Sequence, residues 1–481
     1  MKNIKVSSIV DAVEAAPSLD FLHTAAPAAD KAPQSELETK GKILMDCLSN
    51  FSIHGELIRI TPGPVVSMFA VRLKSGVPGA RIENLSADLA RMLKAVAVRI
   101  QAPIPGTDMV GIEIPNEMRE TVCLQELLSS QAFAKADSLL TLALGKDSSG
   151  QPFVADLAGM PHLLMAGATG TGKSVCIQAI LLSLLYKARP DEVKLLLFDF
   201  MRVELSAYND LPHLAHPVVT EMSHAKNALA WAVSEMDRRY AGMARLGVRS
   251  IVGYNEKLKG WGDARPPEFA DLYAMPYLVI VIDEFADIMF CDMGMETLIV
   301  QLAQSAGAAG IHLILATQCL LEDVFTARIK ANTPCRIAFQ VSSKYDSRRI
   351  LDANGAENLL GNGDMLFKPG CGRLHRLHGA FVSDDAIAAV VEYWKKQQKP
   401  EYTVDFSAWG NSAENGLTGD VLGDDDVAVD PMYREAVEFV RQQGKVSISL
   451  IQRRFRIGFN KAARFAEHME KDGILQKGIP R

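Results

Sequence analysis

Positive charge in excess is what this sequence most lacks: 51 Lys and Arg stand against 57 Asp and Glu, a net charge of −6 over 481 residues. That balance excludes a protein coated in basic charge, so any contact with nucleic acid has to be local, in a pore, a loop or a small domain. Cysteine is sparse and scattered, at 47, 123, 176, 291, 319, 335 and 371, with no CxxC pair and no Cys/His cluster at zinc spacing. This excludes a disulfide scaffold and a zinc module, and it predicts a reducing, cytoplasmic setting. Long apolar runs are missing too. No stretch of eighteen apolar residues occurs, and the first twenty residues lack the unbroken apolar core of a secretory signal, so no membrane contact of this chain is expected. What remains is the balance of a folded protein, 48% apolar and 22% charged, long enough for roughly two to four domains.

Along the chain the composition shifts several times. Residues 1–40, rich in Ala, Pro and charge, read as a flexible arm in which 18–22 could form a short docking peptide. Residues 41–150 read as a small α+β domain. Two strands, 56–60 and 65–73, flank the turn Thr61-Pro62-Gly63-Pro64. A helix capped at Asn84 or Ser86 runs through Val96, and strands at 97–101 and 110–114 follow. From 151 to 400 the rhythm becomes alternating strand and helix. The apolar runs at 162–166, 193–198, 277–282, 312–316 and 336–341 are short and β-rich, as expected of strands buried on both faces of a parallel sheet. Such an α/β fold holds its ligand at the strands' carboxyl ends. Residues 401–430 form a linker whose last twenty carry six acids, no bases and three glycines. The final segment, 431–481, carries eleven Lys/Arg against five Asp/Glu, a local net of +6.

The strongest chemical signal is Gly167-Ala168-Thr169-Gly170-Thr171-Gly172-Lys173-Ser174, a complete GxxxxGK[ST] P-loop between an apolar strand and a helix beginning near Val175. Glycines let backbone N–H groups curl around phosphate oxygens, and the helix N-terminus adds its positive end. In such a loop Lys173 serves the β- and γ-phosphates of ATP and Ser174 holds Mg2+. The apolar run 278–282 ends in Asp283-Glu284. Asp283 is placed to hold Mg2+ through water and Glu284 to polarise an attacking water. The same pair would also serve as a cap for the next helix. Thr317-Gln318, at the end of the run 312–316, is positioned to sense the γ-phosphate.

In the final segment, Asp430-Pro431 starts one helix, Ser449 caps a second, and a third runs from about Phe459 to Lys471. On the third, Phe459, Ala462, Ala463, Ala466 and Met469 are assigned to the inner face, and Asn460, Lys461, Arg464 and His468 to the outer one. Three short helices with a basic, Asn-bearing face read as a helix-turn-helix aimed at a DNA major groove.

Taken together, HLLMAGATGTGKS, YNDLPHLAHPVVT, IVIDEFADIM, GIHLILATQ, RIAFQVSSKYDSRRILD and GAENLLGNGDML resemble the motor domain of FtsK/SpoIIIE DNA translocases. The stretch APIPGTDMVGIEIPN resembles that family's α domain, and VSISLIQRRFRIGFNKAARFAEHMEKDGI its γ domain. The resemblance implies a RecA-like P-loop motor preceded by a small α+β domain and followed by a winged helix. It implies hexameric rings that pump double-stranded DNA during chromosome segregation, with a XerC/XerD-type recombinase as a further partner. It also places Lys344 and Arg348 on a pore loop that grips DNA phosphates, and Asn460, Lys461 and Arg464 on the sequence-reading helix.

Three departures from the family's pattern stand out. Met201 replaces a lysine, Gly307 replaces the arginine of a trans-acting finger, and Cys319-Leu320 replace an arginine and a proline in a DNA-facing loop. Loss of such a finger lowers phosphoryl transfer by about 10³-fold or more. Arg336, Arg348 and Arg349 are the candidates to replace it across a subunit boundary. The departures support a rival reading, an ATP-binding, DNA-bound scaffold with weak or no translocation. The intact Asp283-Glu284 pair opposes it.

Overall fold

The computed structural model describes residues 16–24, 34–402 apart from 75, 404–407, 433, 436–440, 454, 465 and 469. Helix α1 (Gln34–Asn50) begins inside the stretch read as a flexible arm. It leads into strands β1 (Gly55–Thr61), β2 (Val66–Leu73), β3 (Arg99–Gln101) and β4 (Met109–Pro115), with α2 (Gly79–Glu83) and α3 (Ser86–Met92) between β2 and β3. The four strands pair antiparallel in the order β1-β2-β4-β3. Leu44 and Leu48 of α1 and Leu89 of α3 close a core on Phe69 and Ile112. The helix expected to run through Val96 ends at Met92 instead. Lys94 adopts a left-handed backbone, φ +54, which a continuing helix does not tolerate.

Helices α4 (Leu124–Leu128) and α5 (Gln131–Ala134) precede a larger sheet. Its strands are β5 (Thr141–Asp147), β6 (Pro152–Asp156), β7 (His162–Ala166), β8 (Val193–Phe198), β9 (Tyr277–Ile282), β10 (Ile311–Thr317), β11 (Cys335–Ala338), β12 (Asp364–Lys368) and β13 (His375–Gly379). The accompanying helices are α6 (Lys173–Lys187), α7 (Met222–Leu246), α8 (Ile251–Trp261), α9 (Phe285–Cys291), α10 (Met293–Ser305), α11 (Ala327–Asn332), α12 (Lys344–Leu351) and α13 (Asp384–Gln397).

The strand order is β6-β5-β13-β12-β11-β7-β10-β9-β8. The expected parallel sheet holds for β11, β7, β10, β9 and β8. The other four strands pair antiparallel, so the sheet is mixed. Short turns join β5 to β6 and β12 to β13, and turns of that length cannot make the crossover a parallel pair needs. The apolar runs of the parallel strands follow from double-sided burial. Val279 and Val281 share a core with Ile177 and Leu181 of α6. Leu278, Ile280 and Ile282 are equally buried and project to the opposite face by the period of two.

Residues 18–22 dock in cis. Leu19–Phe21 form a 3-10 turn and Leu22 is buried in the large core. The Tyr186 hydroxyl donates to the Ser18 carbonyl at 2.9 Å, and Gln125 Nε2 to the Leu19 carbonyl at 3.2 Å. Phe21 meets the Tyr393 ring of α13 with centroids 6.1 Å apart. Among the described residues no helix is long and apolar enough to cross a membrane.

Residues 405–481 form a separate unit. Residues 433, 436–440, 454, 465 and 469 are helical. Tyr433, Ala436, Val440, Phe465 and Met469 are buried, and the Tyr433 and Phe465 rings lie 5.2 Å apart. Met469 is an expected inner residue. Phe465, one turn before it, joins that apolar stripe although the sequence reading left it out. Asn460, Lys461 and Arg464 lie outside the described residues, as do the other assigned inner positions.

Candidate functional site

Three adjacent strands end together. In the ladders, Thr317 of β10 sits opposite Ala166 of β7, and Leu315 opposite Ile282 of β9. That register brings the loop after Ala166, the pair after Ile282 and the pair Thr317-Gln318 to one rim. The residues singled out along 150 positions of chain converge there because parallel strands put all their carboxyl ends on one edge.

The loop 167–172 wraps into the start of α6. Gly172 caps that helix at φ +112, and a Cβ there would lie 2.4 Å from Gly363 N, so only glycine fits. Thr171 is buried, and its hydroxyl donates to the Ala168 carbonyl at 2.6 Å, while Ala168 N–H donates to the Gln340 carbonyl at 3.0 Å. Thr169 and Gly170 are exposed at the tip, and the Thr169 hydroxyl donates to Gln318 Oε1. Lys173 is buried and its Nζ meets Asp283 Oδ1 at 2.7 Å and the Asp283 carbonyl at 3.2 Å. Ser174 and Val175 follow on the first turn of α6 and line the cavity beside the loop.

Glu284 stands at the start of α9 but makes no side-chain capping bond there. Its carboxylate accepts instead from the Thr317 hydroxyl and, at 2.8 Å, from Gln318 N–H. The capping alternative therefore fails. Burial pushes the Glu284 carboxyl above the usual range, against the opposing pull of those two hydrogen bonds. A carboxylate held by two donors and made more basic by desolvation is suited to accept a proton from water.

A cavity of about 770 Å³ opens over the P-loop. Ala168, Thr169, Gly170, Lys173, Ser174 and Gln318 are among its lining residues. Residues 119–122, the loop 361–364 and 378–381 complete the lining; 361–364 falls within the motif GAENLLGNGDML, whereas 119–122 and 378–381 belong to no motif singled out in the sequence. The Gly361-Asn362-Gly363 triplet was the available signal, a turn with two glycines at positive φ, but nothing local ties it to a loop almost two hundred positions earlier. The Ser174 hydroxyl and Asp283 carboxylate make an all-oxygen donor pair that fits magnesium, which takes its remaining positions from water and phosphate. No group of three or more His, Cys, Asp or Glu is arranged to hold a metal among the described residues.

Lys344 and Arg348 are exposed on α12, with Arg348 Nε donating to Asn354 Oδ1 at 2.7 Å. Arg349 packs on the Tyr345 ring and bonds the Leu320 carbonyl and Glu322, tying α12 to the loop that carries Cys319. Arg336 is buried and spends its guanidinium on Asp352 and the carbonyls of Lys330, Thr333 and Ile350. It is therefore unavailable to a neighbouring copy, contrary to the expectation that it could act there. Met201 is exposed, and a Cβ on Gly307 would approach Pro161 Cβ to 2.9 Å.

Three sequence profiles match: the FtsK/SpoIIIE family at 123–321, the FtsK alpha domain at 16–116 and the FtsK gamma domain at 428–478. Curated relatives named DNA translocase FtsK include that of Vibrio vulnificus, 46% identical over 96% of this chain and 48% of its own length. That of Pseudomonas aeruginosa is 47% identical over 92% of this chain and 57% of its own. DNA translocase FtsK 2 of Ralstonia nicotianae is 46% identical, over 95% and 61%. The chain thus spans about half to three-fifths of the length of these relatives. Among solved structures, the pCW3 conjugation coupling protein TcpA with ATPγS superposes with a TM-score of 0.51 at 21% identity, covering 75% of this chain and all of that one. This supports the fold.

Proposed function

The chain belongs to the FtsK/SpoIIIE family, and from that premise we propose that it is an ATP-driven translocase of double-stranded DNA working in chromosome segregation. The observation that carries the proposal is that Lys173 and Gln318 line the cavity while Asp283 and Glu284 are bonded directly to them, Asp283 to Lys173 Nζ and Glu284 to Gln318 N–H. The loop 167–172 with Val175 receives the ATP phosphates on backbone N–H groups, and Lys173 turns from Asp283 to the β- and γ-oxygens. Ser174 and Asp283 hold Mg2+, which supplies charge to offset that developing on the transferred phosphoryl group. Glu284 orients a water and takes its proton, and Gln318, braced by Thr169, reports whether the γ-phosphate is present. Lys344 and Arg348 grip phosphates of the duplex without reading sequence, while Asn460, Lys461 and Arg464 read bases.

The working form is a cytoplasmic homo-oligomer, a hexameric ring, with a XerC/XerD-type recombinase as a partner of the C-terminal module. The division of labour follows the α-like domain expected at 41–150, the motor at 151–400, a linker at 401–430 and the DNA reader at 431–481, with one shift: β5 (Thr141–Asp147) pairs within the larger sheet, so the motor begins before 151. The rival scaffold reading differs in one measurable respect. The test is ATP turnover with and without long duplex DNA, alongside displacement of a strand annealed to a third-strand site as a report of translocation. Turnover stimulated by DNA together with displacement supports the motor. ATP binding without either leaves the scaffold.

A further inference from the structure

A line of charged side chains joins the four-stranded sheet to the wall of the P-loop cavity. Arg99 Nη1 of β3 meets Glu113 Oε1 of β4 at 3.0 Å. The other Glu113 oxygen receives Arg376 Nη1 of β13 at 2.7 Å. Arg376 then grips Asp364 of β12 with two donors, Nε at 3.0 Å and Nη2 at 2.6 Å. Glu113, Arg376 and Asp364 are all at least nine-tenths buried, and Asp364 lines the cavity. Its Oδ2 also accepts from Leu360 N–H at 2.9 Å, and His378 Nδ1 stands 3.3 Å from Oδ1. The backbone completes the connection, since Gly363 N–H donates to the Thr171 carbonyl of the P-loop at 2.8 Å.

A buried ion network of this kind adds little net stability over well-packed apolar residues, because desolvation offsets most of the attraction. Its distinguishing property is geometry. Two-donor pairing fixes the relative orientation of the planar groups, and here the fixed groups lead from one sheet to the backbone that would cradle phosphate.

We propose that Glu113 is a positioning residue of the nucleotide site, acting through Arg376 and Asp364 to hold the Gly361–Gly363 loop against the P-loop. The proposal rests on the reading of that cavity as the ATP site. With glutamine at 113, one amide oxygen and one NH2 group replace the two acceptor oxygens that Arg99 and Arg376 share, so Arg376 Nη1 is left with a weaker acceptor or a facing donor and its guanidinium is less firmly fixed. Asp364 then loses the two-donor grip, and the loop it anchors loosens from Thr171.

The test uses the full chain with Glu113→Gln and Asp364→Asn, singly and together, and two readouts. One is amide hydrogen exchange at Gly363 without nucleotide. The other is the affinity for a fluorescent ADP analogue. A core variant of the same sheet, Val71→Ala, serves as a control that lowers the melting temperature without touching the line. Glu113→Gln is expected to speed exchange at Gly363 and weaken the nucleotide by about three- to thirtyfold, with the double variant no worse than the worse single one. Val71→Ala is expected to move neither. Unchanged exchange in Glu113→Gln, or additive losses in the double variant, overturns the line of contacts whatever the cavity binds. Faster exchange with unchanged affinity overturns its role at the nucleotide site. A parent chain that binds no nucleotide fells the ATP reading and this role with it, while the exchange result still stands or falls separately. Should Glu113→Gln fail to fold, Arg99→Gln frees the same carboxylate from its outer partner and is expected to move both readouts the same way, by less.

Discussion

Glu284→Gln separates the roles of charge and shape at the catalytic rim. The native carboxylate is acceptor-only and is matched by two donors, the Thr317 hydroxyl and Gln318 N–H. Glutamine keeps one acceptor for Gln318 N–H and offers an NH2 group to Thr317. The Thr317 hydroxyl can accept from that group while donating to the Cys319 carbonyl, 3.5 Å away. The fold and nucleotide binding are therefore expected to survive. What disappears is the proton acceptor, so turnover should fall by about 10²- to 10⁴-fold and ATP should accumulate on the protein.

The same substitution has a stability signature whose sign follows from the shifted titration. Burial raises the folded-state pKa of Glu284 above its ordinary value. A carboxyl shifted upward stabilises the fold below the unfolded pKa, and that contribution is lost as pH rises through the folded pKa. Glutamine carries no such penalty. The variant should thus melt above the parent at neutral pH, with the gap closing as pH is lowered into the ordinary carboxylate range. The rate of the parent should fall with acid at a pH above that range. Thermal melts from pH 4 to 8 and single-turnover hydrolysis over the same interval are the measurements. Parent-like turnover by Glu284→Gln refutes the assignment of the base, and a melting gap that widens in acid refutes the electrostatics.

Lys173→Ala should abolish nucleotide binding, and by leaving the buried Asp283 carboxylate unpaired it should cost about 3 kcal/mol in nucleotide-free denaturant melts; an unchanged midpoint would mean the pair is solvated. Leu22→Ala should cost about 2 kcal/mol, because Leu22 is 5% exposed in the large core, and a neutral effect would mean the docked segment detaches in solution. Lys344→Ala should weaken binding to all duplexes alike and flatten its salt dependence. Arg464→Ala should instead cost about 1–3 kcal/mol at a preferred site and relax base choice, and selection on random duplexes distinguishes the two.

The parts legible in the sequence are those whose signal is local. The P-loop declares itself within eight residues, and Asp283-Glu284 follows an apolar run whose burial on both faces leaves few alternatives to a central strand. Their meeting with Thr317-Gln318 also follows, since parallel strands share one carboxyl edge. The antiparallel half of the sheet was not legible, because β12 and β13 are short and carry Asp364, Arg376 and His378 where an apolar strand pattern is expected. Those polar residues are tolerated by pairing with one another and with Glu113, which lies 263 positions from Arg376. No window of sequence contains both ends of that pair. The same holds for residues 119–122 and 378–381 of the cavity lining, which meet the P-loop only in the fold. Met469 is buried as expected, while Phe465 was given no face, because in a stretch rich in Ala, Phe and Met several helical faces have similar apolar content.

The arginine missing at Gly307 leads to a last expectation. Restoring it is not a simple exchange, since a Cβ there already meets Pro161 at 2.9 Å. A substitute has to come from a side chain that is not committed within its own chain. Of the three candidates, Arg336 is buried among four partners and Arg349 is held by Leu320, Glu322 and Tyr345. Arg348 is exposed, with a single neutral partner in Asn354. It also belongs with Lys344 to the element assigned to DNA phosphates. If Arg348 serves a neighbouring copy's γ-phosphate as well, Arg348→Ala should lower basal ATP turnover by about 10³-fold or more even without DNA, and weaken duplex binding too. Lys344→Ala should affect only the DNA-dependent part. Steady-state turnover of both variants with and without duplex decides it. A basal rate in Arg348→Ala equal to the parent's would confine that residue to DNA and leave the site to work without a finger from α12.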